Sequence, residues 1–235
     1  MDLLVLSYEF TYSPFSGNGV LARSLVKGLL RHNCRCLVIC CRPAKEHATK
    51  DNPILSPEVS HDQAACLSVQ AIELPAAVGW RRLDRESGWH FFAEGAMGAV
   101  SRGCAQKAWS LEPKAICVID WSGGAAWRAI RSERAFEILH SQPPPALYIN
   151  FRVYSSGLTD AEAAAWHDAR EREALEVADS CIVLSKTDER TLRTLIGPDH
   201  SLDFEVFYPC LRGARRPARR LCSALLPRPA GLVLM

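Results

Sequence analysis

Three positions in this chain combine residue types and spacing suited to chemistry. Gly17-Asn18-Gly19 stands just before an amphipathic helical stretch. Glycines there let the backbone approach a ligand closely, and a helix N-terminus offers unpaired N–H groups and partial positive charge. A phosphate or diphosphate is the natural guest of such a loop; a turn that merely needs glycine is the alternative. Asp120 closes a fully apolar run and precedes Trp121-Ser122-Gly123-Gly124. A carboxylate placed there could take a proton from a hydroxyl nucleophile, hold a sugar hydroxyl, or cap a helix. Arg152 ends another strand-like run, where its planar fork suits an anionic ligand or a surface ion pair. Glu9 follows the first apolar run and could contact a polar ligand. Ser185 follows a later one, ahead of another helix. His140 and His167 have no partner at a telling spacing and read as structural or surface residues.

Read as Gly17-x-Gly19-x-x-Ala22, the first segment also fits the dinucleotide fingerprint. About nine loop residues separate it from the preceding strand, however, and Arg42 stands where the acidic residue after the second strand belongs. An NAD(P)-binding oxidoreductase is therefore the second reading, and a non-catalytic binding module the third. The chain contains no GxSxG elbow, no P-loop lysine motif, no HExxH and no Asp-x-Asp pair. No metal and no cofactor is expected.

The elements that must position these residues alternate. Strands are predicted at Leu3 to Ser7, Cys34 to Cys41, Leu67 to Leu74, Ala115 to Ile119, Ala146 to Phe151, Cys181 to Leu184 and Phe204 to Tyr208. Helices are predicted over Val20 to His32, Ser87 to Trp109, Ala125 to Arg134, Asp160 to Ala178 and from Ser185 to Ile196. Asn18 is the expected cap of the first helix and Asn33 its end. In that helix Leu21, Ala22, Leu25, Val26, Leu29 and Leu30 recur at helical spacing. Residues 43 to 66 carry no clear signal. The pattern is that of an α/β protein with a doubly wound, mainly parallel, Rossmann-like sheet. In such sheets ligands bind beyond the carboxyl ends of the strands, which nominates the loop after the first strand, Asp120, Arg152 and Ser185.

Length and composition agree. The 235 residues are 48% apolar and 23% charged, enough to bury a core and too apolar for general disorder. The net charge of +2 is unevenly spread: residues 211–235 hold six Arg and no acid, leaving the body at 22 bases against 26 acids. Nothing here suggests nucleic-acid binding. The basic tail could at most add weak contact with a membrane surface. Ten Cys lack zinc spacing and lie largely in strand-like runs, as free thiols in a reducing compartment do. With no basic leader and no apolar run near the ~20 residues that span a bilayer, a cytoplasmic location is expected.

Several segments together resemble the family 4 glycosyltransferases of the GT-B type. Leu3-Leu4-Val5-Leu6-Ser7-Tyr8-Glu9-Phe10 and Ser16 to Leu25 are similar to that family's opening strand, glycine loop and helix, and Arg31 to Val38 stands in place of its "RGH-x-V-x-V". Asp120-Trp121 resembles the "DW" or "HD" after the fourth strand. Glu173-x-Leu-x-x-Ala-Asp-Ser-Cys-Ile-Val-Leu-Ser185 resembles "E-x-x-L-x-x-A-D-x-V-I-x-x-S" from the leucine onward, and Val206 to Pro209 the run into the interdomain linker. The resemblance implies that residues 1–210 form the acceptor-side half of a GT-B architecture. It further implies transfer of a sugar from a nucleotide-sugar donor to a hydroxyl acceptor. Glu9, Gly17, Asn18, Gly19 and Ser185 would serve the donor or substrate, while Asp120 or Arg152 orients the acceptor or assists proton transfer. The family's second domain holds most of the donor. Here residues 211–235 turn instead into an Arg-, Pro- and Leu-rich tail of a truncated, frameshifted or spliced kind, so this chain is expected to be weak or inactive alone.

Overall fold

The computed structural model describes residues 1–52, 60–81, 83–85, 87–133, 144–150, 153–198 and 200–207. Among these the strands are β1 (Leu3–Ser7), β2 (Cys36–Arg42), β3 (Leu67–Glu73), β4 (Ala115–Ile119), β5 (Ala146–Asn150), β6 (Ser180–Val183) and β7 (Asp203–Val206). The helices are α1 (Gly17–Arg31), α2 (His61–Ala65), α3 (Trp89–Lys107), α4 (Asp120–Ser132), α5 (Ala161–Glu176) and α6 (Lys186–Ile196). The strands form one sheet in the order β3-β2-β1-β4-β5-β6-β7, every neighbouring pair parallel. This is a doubly wound Rossmann-like sheet.

The apolar runs explain it. β1 and β4 are buried along their whole length, as a parallel strand must be when helices cover both faces. Leu4, Leu6, Leu37, Ile39, Ile116 and Val118 face the layer containing α3, α4 and α5, where Phe92, Val100, Trp127 and Leu175 pack. Leu3, Val5, Val38 and Ile119 face the opposite way, under Ala22, Leu25, Val26 and Leu29 of α1. Each such residue contributes on the order of 1.5–3 kcal/mol by leaving water, so the strand ends are held rigidly.

Three local outcomes differ from the sequence expectations. Ser16, not Asn18, caps α1: its Oγ accepts from Asn18 N at 3.1 Å. Helix α4 starts at Asp120, directly after β4, rather than at Ala125. Gly123 and Gly124 in its first turns are contact points. A Cβ on Gly123 would lie 2.7 Å from Leu6 O, and one on Gly124 2.5 Å from Ala174 Cβ. Helix α2, with a Ser60–Gln63 capping box, fills part of the segment that carried no signal. Asn33 does end α1, in the left-handed conformation at φ 57°.

The eight described cysteines are free thiols. No helix among the described residues is long and apolar enough to cross a membrane. The tail read as residues 211–235, and Arg152 and His140, lie outside the described residues.

Candidate functional site

The sheet order reverses between β1 and β4, whose connections to β2 and β5 run to opposite sides, and this switch point is where doubly wound sheets bind ligands. Ser7 pairs with Ile119, so the chain leaves both strands at the same level. That register brings Glu9, α1 and Asp120 together.

The loop of residues 8–16 is held by its own chain. Glu9 is 1% exposed. Its Oε2 accepts from Phe15 N at 2.6 Å and Ser16 N at 2.8 Å, and Ser16 Oγ donates to its Oε1. Burial raises the Glu9 pKa, while these bonds pull it back. Trp80 stacks on Tyr8 at 5.2 Å and donates Nε1–H to Ser13 O at 2.8 Å, which lays Arg81, Leu83 and Asp84 beside the loop. Arg23 Nη1 donates to Phe10 O at 2.7 Å. Glu9 is thus an internal anion that occupies loop N–H groups. Gly19 serves the same purpose: a Cβ there would sit 2.7 Å from Pro14 Cβ and 3.3 Å from Glu9 Cβ. The turn needs this glycine for itself.

Asp120 is also 1% exposed, and it adopts the left-handed conformation at φ 66°. Its Oδ2 accepts from Asn18 Nδ2 at 2.8 Å and from the Tyr154 hydroxyl at 2.9 Å. Its Oδ1 accepts from Trp121 N at 2.5 Å. Asn18 Nδ2 also donates to the Tyr154 oxygen at 3.0 Å. Burial pushes the Asp120 carboxyl up to about 7, and the nearby Glu9 charge adds to the rise against the three hydrogen bonds. Behind this triangle Glu171 of α5 is fully buried and accepts from the Tyr148 hydroxyl at 2.5 Å. Burial, followed by repulsion from Asp120, pushes it up to about 8.

In front of the triangle opens a cavity of about 650 Å³, whose walls include Gly17, Asn18, Arg81, Tyr154, Leu158 and His167. The His167 ring stacks on Tyr154 at 5.4 Å and 11°. Trp121 and Trp166 back it edge-on. Of the residues nominated from sequence, Glu9, Gly17, Asn18, Gly19 and Asp120 converge here, but only Gly17 and Asn18 line the cavity. Ser185 does not: it caps α6, accepting from Asp188 N at 3.1 Å. Tyr154, His167, Arg81 and Glu171 escaped the sequence reading. Apart from the adjacent Trp166, the ring partners of His167 come from α4 and the loop after β5, so nothing at helical spacing marked it as a site residue. No group of three or more His, Cys, Asp or Glu among the described residues is arranged to hold a metal ion.

No protein-family model matches the chain, and no curated protein does. Solved structures do. A sucrose-phosphate synthase chain from Thermosynechococcus elongatus superposes with a TM-score of 0.55 at 15% identity, covering 96% of this chain and 97% of that one. A second chain of sucrose-phosphate synthase from the same organism superposes with a TM-score of 0.57 at 15% identity, over 88% of this chain and 48% of that one. The chain therefore spans about half the length of that second structure. At such identity the likeness is one of fold: α/β, Rossmann-like, and consistent with one half of a GT-B architecture.

Proposed function

We propose that this chain is the acceptor-side half of a GT-B glycosyltransferase, moving a sugar from a nucleotide-sugar donor to a hydroxyl acceptor. The observation that carries the reading is the cavity of about 650 Å³ at the β1/β4 switch point, walled by the start of α1 and the loop after β5. The fold shared with sucrose-phosphate synthase supports it. So does the sequence resemblance to family 4 glycosyltransferases.

In this reading the chain supplies a preformed wall. Glu9 and Gly19 hold the loop. Gly17 and Asn18 present the first turn of α1 to the ligand, with Arg81 across the cavity for negative charge. His167 and Tyr154 form the side on which a sugar ring or acceptor rests. Arg152 is proposed as a further anion contact. Asp120 and Glu9, both buried, act through the residues they hold, and Ser185 acts as a helix cap.

Calorimetry of the full chain with UDP-glucose, GDP-mannose and NAD⁺ tests the proposal. Because this half provides one wall only, nucleotide sugars are expected to bind with dissociation constants near the millimolar range, about 4 kcal/mol. Micromolar binding of NAD⁺ with no heat from either nucleotide sugar would overturn it in favour of an oxidoreductase.

A further inference from the structure

We infer that Asp120 is a positioning residue that turns the Asn18 carboxamide so that its oxygen serves the cavity, making a subsite that reads a ligand hydroxyl rather than a phosphate. The inference deepens the glycosyl-transfer reading and rests on it for the identity of the ligand.

The geometry starts with Asp120. Its two oxygens face three donors and it is not among the cavity walls, so it does not meet the ligand. Its left-handed backbone costs on the order of 1 kcal/mol and persists where the surroundings over-determine it. Here they do: residues following β1, β4 and β5 meet at one carboxylate.

Asn18 is where this restraint reaches the cavity. Its amide nitrogen donates to Asp120 Oδ2 at 2.8 Å and to the Tyr154 oxygen at 3.0 Å. Tyr154 in turn gives its own proton to Asp120, which fixes it as the acceptor for Asn18. An ionised carboxylate can only accept, so the carboxamide cannot flip. Asn18 Oδ1 has no hydrogen-bond partner among the described residues, although Asn18 lines the cavity. A carbonyl oxygen presented in this way accepts from an O–H or N–H and opposes a phosphate oxygen, lone pair against lone pair. The diphosphate expected at Gly17-Asn18-Gly19 is therefore displaced from Asn18, and a sugar hydroxyl takes that place.

The test uses the full chain at pH 8, where Asp120 is ionised, with Asp120→Asn as the variant. Asparagine tolerates the left-handed conformation as aspartate does, but its amide brings a donor to a site lined by donors. The Asn18 side-chain NH₂ signals are followed by ¹⁵N NMR, alongside titrations with UDP, UDP-glucose and methyl α-glucoside. In the wild type the two protons should be well separated and slow to exchange, and in Asp120→Asn they should collapse toward free-amide values. A sugar-bearing probe should bind about tenfold more weakly to the variant, while UDP changes less than twofold. Weakening of methyl α-glucoside places the hydroxyl on the acceptor; weakening of UDP-glucose alone places it on the donor sugar. Equal weakening of UDP, or unchanged Asn18 signals, would overturn the inference. If the wild type binds none of the three probes, the glycosyl-transfer reading fails, and the hydroxyl subsite with it. The Asn18 signals then still show whether Asp120 holds the carboxamide. Should Asp120→Asn not fold, Tyr154→Phe removes one of the two acceptors of the carboxamide and is read in the same way.

Discussion

At the scale of single residues, the site is built on buried carboxyl groups. Asp120 and Glu171 are raised to about 7 and about 8, first by burial, and Glu9 is raised in the same direction. The sign of the consequence follows from proton counting. Between pH 4 and 7 the unfolded chain has released the Asp120 and Glu171 protons and the native chain keeps them, so stability falls as pH rises. The slope approaches about 1.4 kcal/mol per pH unit for each such group. Urea unfolding should give a larger free energy at pH 5 than at pH 7.5. Asp120→Asn, which cannot ionise, should show a distinctly shallower fall over the same interval. Parallel curves for wild type and variant would mean that Asp120 titrates normally. Above pH 7 the chain is less stable, yet that is where the ionised carboxylate holds Asn18.

At the scale of elements, the sheet was readable and the helix starts were less so. Continuous apolar runs such as Ala115 to Ile119 can only be covered strands, and all seven described strands stand near where those runs lie. The start of α4 was hidden because Gly123 and Gly124 look like a loop to any reading based on helix propensity. Their role is tertiary: they let α4 press on β1 and α5. Gly124→Ala should therefore destabilise the protein by about 1–3 kcal/mol through overpacking, although alanine is the better helix former. Ala174→Gly in the same chain should restore part of the loss, since Ala174 Cβ is the atom approached at 2.5 Å. Denaturant midpoints of the three variants check this, and a stabilised Gly124→Ala would show that the contact relaxes freely. The cap of α1 failed for a related reason. Ser16 and Asn18 are both good caps; Ser16 takes the position, and the Asn18 amide is engaged by Asp120 at the end of the neighbouring strand. Tyr154, His167 and Glu171 were unreadable because no sequence spacing shows how the loop after β5 folds back on α5, and because Asn18, Asp120 and Trp121 reach them from α1 and the start of α4.

At the scale of the whole molecule, residues 1–207 carry all the described regular structure. The stretch from Gly213 to Pro229 has four Gly or Pro interruptions and neither helical nor strand periodicity. Deleting residues 213–235 is expected to move the melting temperature by less than about 5 °C, equivalent to less than about 2 kcal/mol for a domain of this size. A larger drop in a thermal scan would show that the tail packs on the body.

The triangle at the switch point also has a bearing on time. Asn18 and Asp120 are 102 positions apart, and Asp120 and Tyr154 are 34 apart. Closing such loops is entropically unfavourable, and the parallel pairings that bring the three residues within reach are themselves slow to form. Neither half of the chain holds the triangle in isolation: a ribosome-bound segment ending before β5 has Asn18 and Asp120 but no Tyr154. On the proposed reading, ligand competence therefore comes late in the life of each molecule, after β1, β4 and β5 have met. A chain stalled short of that point would present an open carboxamide, free to rotate, with no preference between a hydroxyl and a phosphate.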